Sequence, residues 1–178
     1  PVLALAADSQ HRIWSCSESG QVSVYDGRAL VAQWTASVRP SEIVHVNDGA
    51  GERMWVISRD GSVALFDVDA LEQVETVTKF APDEEVLCGV AVPGTGPLGV
   101  WTVWLATSVG NVHVLNASRP ESPMVTFRGS DQAIQCIAVS QHRPGEAGRF
   151  VWTVSGRGVV RVWQPAPVVQ AVVSGRSS

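Results

Sequence analysis

The side chains able to carry proton transfer, metal binding or nucleophilic attack are few and scattered. The four histidines are His11, His45, His113 and His142, and no two stand at a ligand spacing such as HxxxH. His45 and His113 alternate with aliphatic neighbours, which reads as ordinary polar or interblade positions in strands. The three cysteines, Cys16, Cys88 and Cys136, are odd in number and form no CxxC pair. That argues against a disulfide framework and against a zinc site, and free thiols are the default of an intracellular protein. The acids Asp83 and Glu85 sit in a turn-like segment, without the apolar surround that raises a carboxyl pKa for acid catalysis. GTGPLG (94–99) has three glycines, but it follows Pro93 and opens no helix, so a phosphate cradle is not expected. GxSxG, P-loop and GxGxxG patterns are absent. No catalytic residue, metal or cofactor is expected in this segment.

Composition narrows the field further. The chain has 178 residues, is 45% hydrophobic and 17% charged, and carries a net charge of −4. That is enough apolar residue for a substantial core and too little charge for disorder. The cations are twelve arginines and the single Lys79, spread without a basic cluster, so no nucleic-acid surface is expected. No apolar run is long enough to span a membrane, and no signal peptide opens the chain. The expected setting is intracellular and cytoplasmic. Because the first residue is Pro1, the expectation is a piece of a longer polypeptide.

The elements that would position any site come from a repeat. Four segments align without gaps: IWSCSESGQVSVYD (13–26), MWVISRDGSVALFD (54–67), VWLATSVGNVHVLN (103–116) and VWTVSGRGVVRVWQ (151–164). Trp14, Trp55, Trp104 and Trp152 are each followed six residues later by glycine: Gly20, Gly61, Gly110 and Gly158. Aliphatic residues stand two and four past each glycine, and a large apolar residue stands five past it (Tyr25, Phe66, Leu115, Trp163). The tryptophans are 41, 49 and 48 residues apart. Two β-prone runs around a polar tripeptide ending in Gly predict a hairpin in each copy. Strand-like runs flank every hairpin. Upstream are 2–7, 42–46, 85–92 and 133–140; downstream are 30–36, 73–80, 123–127 and 168–173. Each unit is therefore four strands, a-b-c-d, with DALEQVE (69–75) fitting a c–d loop. Cys88 and Cys136 each precede their tryptophan by sixteen residues, which makes them equivalent strand-a positions suited to packing.

Four-stranded units of 40 to 50 residues that close on Val24-Tyr25-Asp26 or Leu65-Phe66-Asp67 resemble the blades of WD40-type β-propellers. Val162-Trp163-Gln164 and Leu115-Asn116 depart from that ending, and no unit has the family's Gly-His dipeptide before strand a. The family's buried Asp–His–Ser–Trp network is therefore not carried over. Only Asp60 occupies the expected acid position in the b–c turn; Ser19, Val109 and Arg157 replace it elsewhere. The resemblance implies an all-β propeller of four four-stranded antiparallel blades, over about 1–38, 39–80, 81–130 and 131–174. A free arc of four blades would leave two apolar faces wet, at roughly 1.5–3 kcal/mol per large side chain. Either the four blades close on themselves, or missing chain or a partner covers the ends; the expectation is part of a larger ring, with remaining blades or a partner over the arc ends.

In propeller topology the b–c turns and d–a loops share one face, and the a–b and c–d loops share the other. The first face would gather Glu18, Arg39, Glu42, Arg59, Asp60, Asp83, Glu84, Arg128, Asp131 and Arg157. A mixed-charge rim of this kind suits a protein or peptide ligand, where charge complementarity sets specificity. The expected function is a non-catalytic protein–protein interaction scaffold. The alternative is a regulatory propeller of a larger enzyme, such as an inositol polyphosphate 5-phosphatase, or of an exchange factor. A phosphoinositide-binding propeller is a further alternative: Phe127-Arg128-Gly129 is similar to the Phe-Arg-Arg-Gly motif of some propellers but lacks its second arginine.

Overall fold

Each Trp–Gly copy folds as the hairpin its residues call for. The computed structural model describes residues 1–36, 39–47, 51–77, 83–94, 101–140 and 149–165. The first sheet is β1 (Val2–Ala7), β2 (Ile13–Ser17), β3 (Gln21–Asp26) and β4 (Ala29–Thr35). The second is β5 (Pro40–Asn47), β6 (Glu52–Ser58), β7 (Val63–Asp67) and β8 (Glu72–Val77). The third is β9 (Val86–Val92), β10 (Thr102–Thr107), β11 (Asn111–Asn116) and β12 (Arg119–Arg128). The fourth is β13 (Ile134–Val139), β14 (Val151–Ser155) and β15 (Val160–Trp163). Strands neighbour each other in chain order within every sheet, and every pairing is antiparallel. The strand expected at 168–173 lies outside the described residues, as does most of the loop 141–149. DALEQVE splits between the turn after β7 and the start of β8, because β8 begins at Glu72.

The register is the same in all four copies. Trp14 stands opposite Val24, Trp55 opposite Leu65, Trp104 opposite Val114 and Trp152 opposite Val162. The turn explains this constancy. Gly20, Gly61, Gly110 and Gly158 all have positive φ, between 74° and 89°. Each donates its N–H to the carbonyl three residues earlier, at Ser17, Ser58, Thr107 and Ser155. A three-residue β turn that ends in a left-handed residue matches strand twist, and glycine takes that conformation without a Cβ penalty. At Gly110 space adds a second demand: a Cβ there would collide with the backbone carbonyls of Ser130 and Gln132.

The sheets stack face to face around their first strands, with β1 packed on β5, β5 on β9 and β9 on β13. This is the arrangement of four propeller blades. Three core clusters of described residues fill the three junctions. Trp14, Cys16, Val22 and Val24 of the first blade meet Ile43, Met54, Val56 and Phe66 of the second. Trp55, Ile57, Val63 and Leu65 of the second meet Val86, Val103, Leu105 and Leu115 of the third. Trp104, Ala106, Val112 and Val114 of the third meet Ile134, Ile137 and Val151 of the fourth. One rule repeats: the face of a blade that bears the Trp packs on the opposite face of the next blade.

This rule explains why β6 and β7 are almost wholly buried although their neighbours alternate in polarity, since a middle blade is covered on both faces. It also corrects two expectations of equivalence. Trp14, Trp55 and Trp104 are fully buried, but Trp152 is 40% exposed. Cys88 is buried, whereas its repeat partner Cys136 is exposed. Both exceptions stand on the Trp-bearing face of the fourth blade, which no described residue covers as a next blade would.

Candidate functional site

The b–c turns are tied to the starts of the inner strands, which confirms how one face is assembled. Glu18 N–H donates to Pro1 O, Ser108 N–H to Glu85 O, and Gly156 N–H to Ala133 O. Between blades, Val86 N–H donates to Arg59 O. Eight of the ten charged residues expected there are exposed: Glu18, Arg39, Arg59, Asp60, Asp83, Arg128, Asp131 and Arg157. They come from all four blades and include both signs. Asp60 shapes its own turn, its Oδ1 accepting from Ser62 N–H at 3.0 Å. Arg157 is steadied by Gln132: with the amide turned so both groups are satisfied, its oxygen accepts from Nε at 2.6 Å and from Nη2 at 3.1 Å.

The other two, Glu42 and Glu84, are not free rim charges. Glu42 lies within β5, half-buried, with its Oε1 accepting from Ile43 N–H at 3.2 Å. Burial pushes its carboxyl above the ordinary value, opposed by hydrogen bonds from the Ile43 and Gly89 backbones. Glu84 instead anchors a polar network inside the third blade. Its Oε1 accepts from Asn111 Nδ2 at 2.8 Å, and its Oε2 lies 3.2 Å from His113 Nε2. His113 Nδ1 is 2.8 Å from Thr126 Oγ1. Burial works to raise the Glu84 carboxyl, but hydrogen bonds from Thr107, Asn111 and His113 outweigh it and hold it below the ordinary value. The sequence pattern gives His113 as an ordinary polar or interblade strand position and does not point to Glu84 as its partner. The available signal was its alternation between Val112 and Val114, which forces the imidazole onto a buried face where it needs a partner.

The opposite face carries a second set of polar contacts, on the a–b and c–d loops. Asp8 is buried and accepts from Trp14 Nε1 at 2.9 Å, from Arg12 Nε at 2.7 Å and from Arg12 N–H at 2.9 Å. Burial alone would raise its carboxyl; these bonds reverse the shift and leave it lowered. Arg12 Nη2 also donates to Val68 O of the second blade at 2.5 Å, and Gln10 Nε2 to Asp69 Oδ1 at 2.6 Å. Ser9 Oγ donates to Glu52 Oε2, and His45 Nε2 lies 3.3 Å from the same oxygen. The hydroxyl and the imidazole thus both address the carboxylate, an arrangement that braces a loop and does not activate a serine. Two of the thiols are made unreactive by environment: burial pushes Cys16 up to about 11 and Cys88 up to about 12. Among the described residues no cluster of His, Cys, Asp and Glu could hold a metal ion. No helix of the described residues is long and apolar enough to cross a membrane.

The fold is that of a β-propeller. BBS1N, crystallised in complex with ARL6DN, is similar with a TM-score of 0.67 and 13% identity over 85% of this chain. Sqt1 of Saccharomyces cerevisiae has a TM-score of 0.70 and 15% identity over 92% of this chain. The chain spans only 45% and 46% of those two proteins. The computationally designed Ika4 protein matches with a TM-score of 0.65 and 13% identity, covering 92% of this chain and 91% of that one. No protein-family model matches the chain, and no curated protein matches it. Identities this low speak to the fold alone.

Proposed function

We propose that this chain is a non-catalytic interaction scaffold of the WD40-like kind. In this reading it docks a protein or peptide on the face formed by the b–c turns and d–a connections. The observation that carries the reading is the exposed mixed-charge set Glu18, Arg39, Arg59, Asp60, Asp83, Arg128, Asp131 and Arg157, of which Glu18, Arg59, Asp60 and Arg157 stand on b–c turns held by backbone hydrogen bonds. Rigid turns lose little entropy on binding, and interspersed charges select a partner by complementarity. A similar fold occurs in a complex, that of BBS1N with ARL6DN. The blades are proposed over about 1–38, 39–80, 81–130 and 131–174, with further blades or a partner covering the arc ends. Three unpaired cysteines support a reducing, cytoplasmic setting.

The test is a paired charge reversal. Partners crosslinked to the chain in cells are compared for wild type, for Arg59→Glu with Asp131→Arg on the rim, and for Asp69→Arg on the opposite face. The rim variant loses its crosslinks while its circular dichroism spectrum stays unchanged. Retention of every crosslink by the rim variant, with loss in Asp69→Arg, would move the site to the other face and sink the proposal.

A further inference from the structure

β8 ends its sheet, and no described strand pairs with its outer side. Such an edge offers a row of backbone N–H and C=O groups to another chain. It belongs to the second blade, which has the first blade on one side and the third on the other. Residues 72–76 of β8 are all exposed, Val74 to 50%. The other two described outer strands differ. β12 contains Pro120 and Pro123, which have no N–H to donate. β4 carries no charged residue to select a partner. On β8 the charge is ordered. Glu75 stands opposite Leu65 and Glu72 opposite Asp67, with Val74 the extra residue of a bulge. Leu65 and Asp67 are two apart in β7 and share one face, which places both glutamates on the face toward the third blade. Neither glutamate forms an ion pair with a described residue. Asp67 is committed to its own turn, its Oδ1 accepting from the N–H of Asp69 at 2.9 Å and of Ala70 at 2.8 Å.

We propose that β8 takes up an extended basic segment of a partner protein as a fifth strand of the second blade. Main-chain hydrogen bonds to the outward N–H and C=O groups supply the affinity, and side chains at alternate positions supply the specificity. Two lysine or arginine residues two positions apart stand beside Glu72 and Glu75. Opposite charges across a strand pair attract, and like charges directly opposite repel. The same glutamates therefore turn away acidic strands and a second copy of β8, which selects a basic partner as the occupant. The contact is made along the β8 backbone and not on the b–c turns, so it is gained or lost independently of the rim.

The probe is a blocked peptide of alternating lysine and threonine, titrated against the chain by fluorescence anisotropy and mapped by amide hydrogen exchange. The peptide binds and slows exchange in β8 but not in β4 or β12. Glu72→Lys with Glu75→Lys weakens binding roughly 10-fold, as two attractive pairs become repulsive, and gains the matching glutamate–threonine peptide. Asp26→Lys with Glu121→Lys, which reverses two exposed acids on other strands, keeps the wild-type affinity. All four substituted side chains are exposed, and far-UV circular dichroism checks that both variants fold. A lysine–threonine peptide methylated at every amide nitrogen keeps its charge, loses its donors and does not bind. Equal binding of that methylated peptide would mean that charge alone holds it, and overturns the proposal. Protection confined to residues outside β8, equal weakening by the two double variants, or no binding up to about 1 mM overturns it as well.

Discussion

Two tryptophans at the same repeat position, one buried and one exposed, allow the stacking rule to be measured. Trp55 is fully enclosed between the second and third blades, among Val44, Val46, Ile57 and Leu65 and the facing Val103 and Leu105. A buried aromatic removes about 150–250 Å² from water. At about 25 cal/mol/Å² that corresponds to roughly 4–6 kcal/mol of transfer free energy. Alanine keeps part of it, and the vacated volume adds a cavity term. Trp55→Ala should therefore cost roughly 3–5 kcal/mol, in line with other large aromatic core truncations. No hydrogen bond is lost, because Trp55 Nε1 finds no partner among the described residues. Trp152 has the same neighbours in sequence pattern but keeps 40% of its surface in water. Its truncation opens no closed cavity, so Trp152→Ala should cost about 2 kcal/mol or less. Urea titrations followed by far-UV circular dichroism, run at a concentration where each variant is monomeric, compare the two midpoints. Equal losses, or a larger loss at Trp152, would refute the argument that a following blade covers one face and that the fourth blade lacks its cover.

Other outcomes follow from the same contacts. Trp55→Phe removes a buried unpartnered N–H and should cost well under half of what Trp55→Ala costs in the same titration. Gly158→Ala meets no atom but forces a side chain to positive φ, for about 1–2 kcal/mol; Gly110→Ala adds the clash with Ser130 and Gln132 and should lose roughly twice that or more. Glu84 and Glu42 should respond to pH in opposite directions. The lowered Glu84 carboxyl stabilises the fold above its unfolded value of 4.5, and that contribution disappears as pH falls through its folded value. The raised Glu42 carboxyl favours the fold below 4.5, and that contribution disappears as pH rises through its folded value. Glu84→Gln should therefore fall furthest behind wild type at neutral pH, while Glu42→Gln should gain on wild type between pH 4 and 7. Denaturant midpoints measured across that range would expose an error if the two variants moved in parallel.

Much of the blade was legible because its determinants are local. The offset of six from Trp to Gly is a hairpin with a left-handed turn residue, and that geometry depends on neighbours a few positions away. The turn positions of Arg59, Asp60 and Arg157 were legible for the same reason, since they sit in those hairpins. Glu42 and Glu84 were misplaced as rim charges because their burial depends on strands far along the chain. Gly89 reaches Glu42 from the third blade, and Asn111 and His113 reach Glu84 from β11. A loop-or-strand assignment cannot say whether such a carboxylate meets water or a neighbouring sheet.

The sequence by itself determined the repeat, the all-β class, the hairpin register and the turns, since short-range sterics and alternation dictate them. Tertiary structure alone decided the fate of equivalent residues. Trp104 and Trp152, or Cys88 and Cys136, are identical in local pattern, yet one of each pair is buried and the other faces water. The physical reason is that burial belongs to the junction between two blades, and no single repeat contains both of its sides.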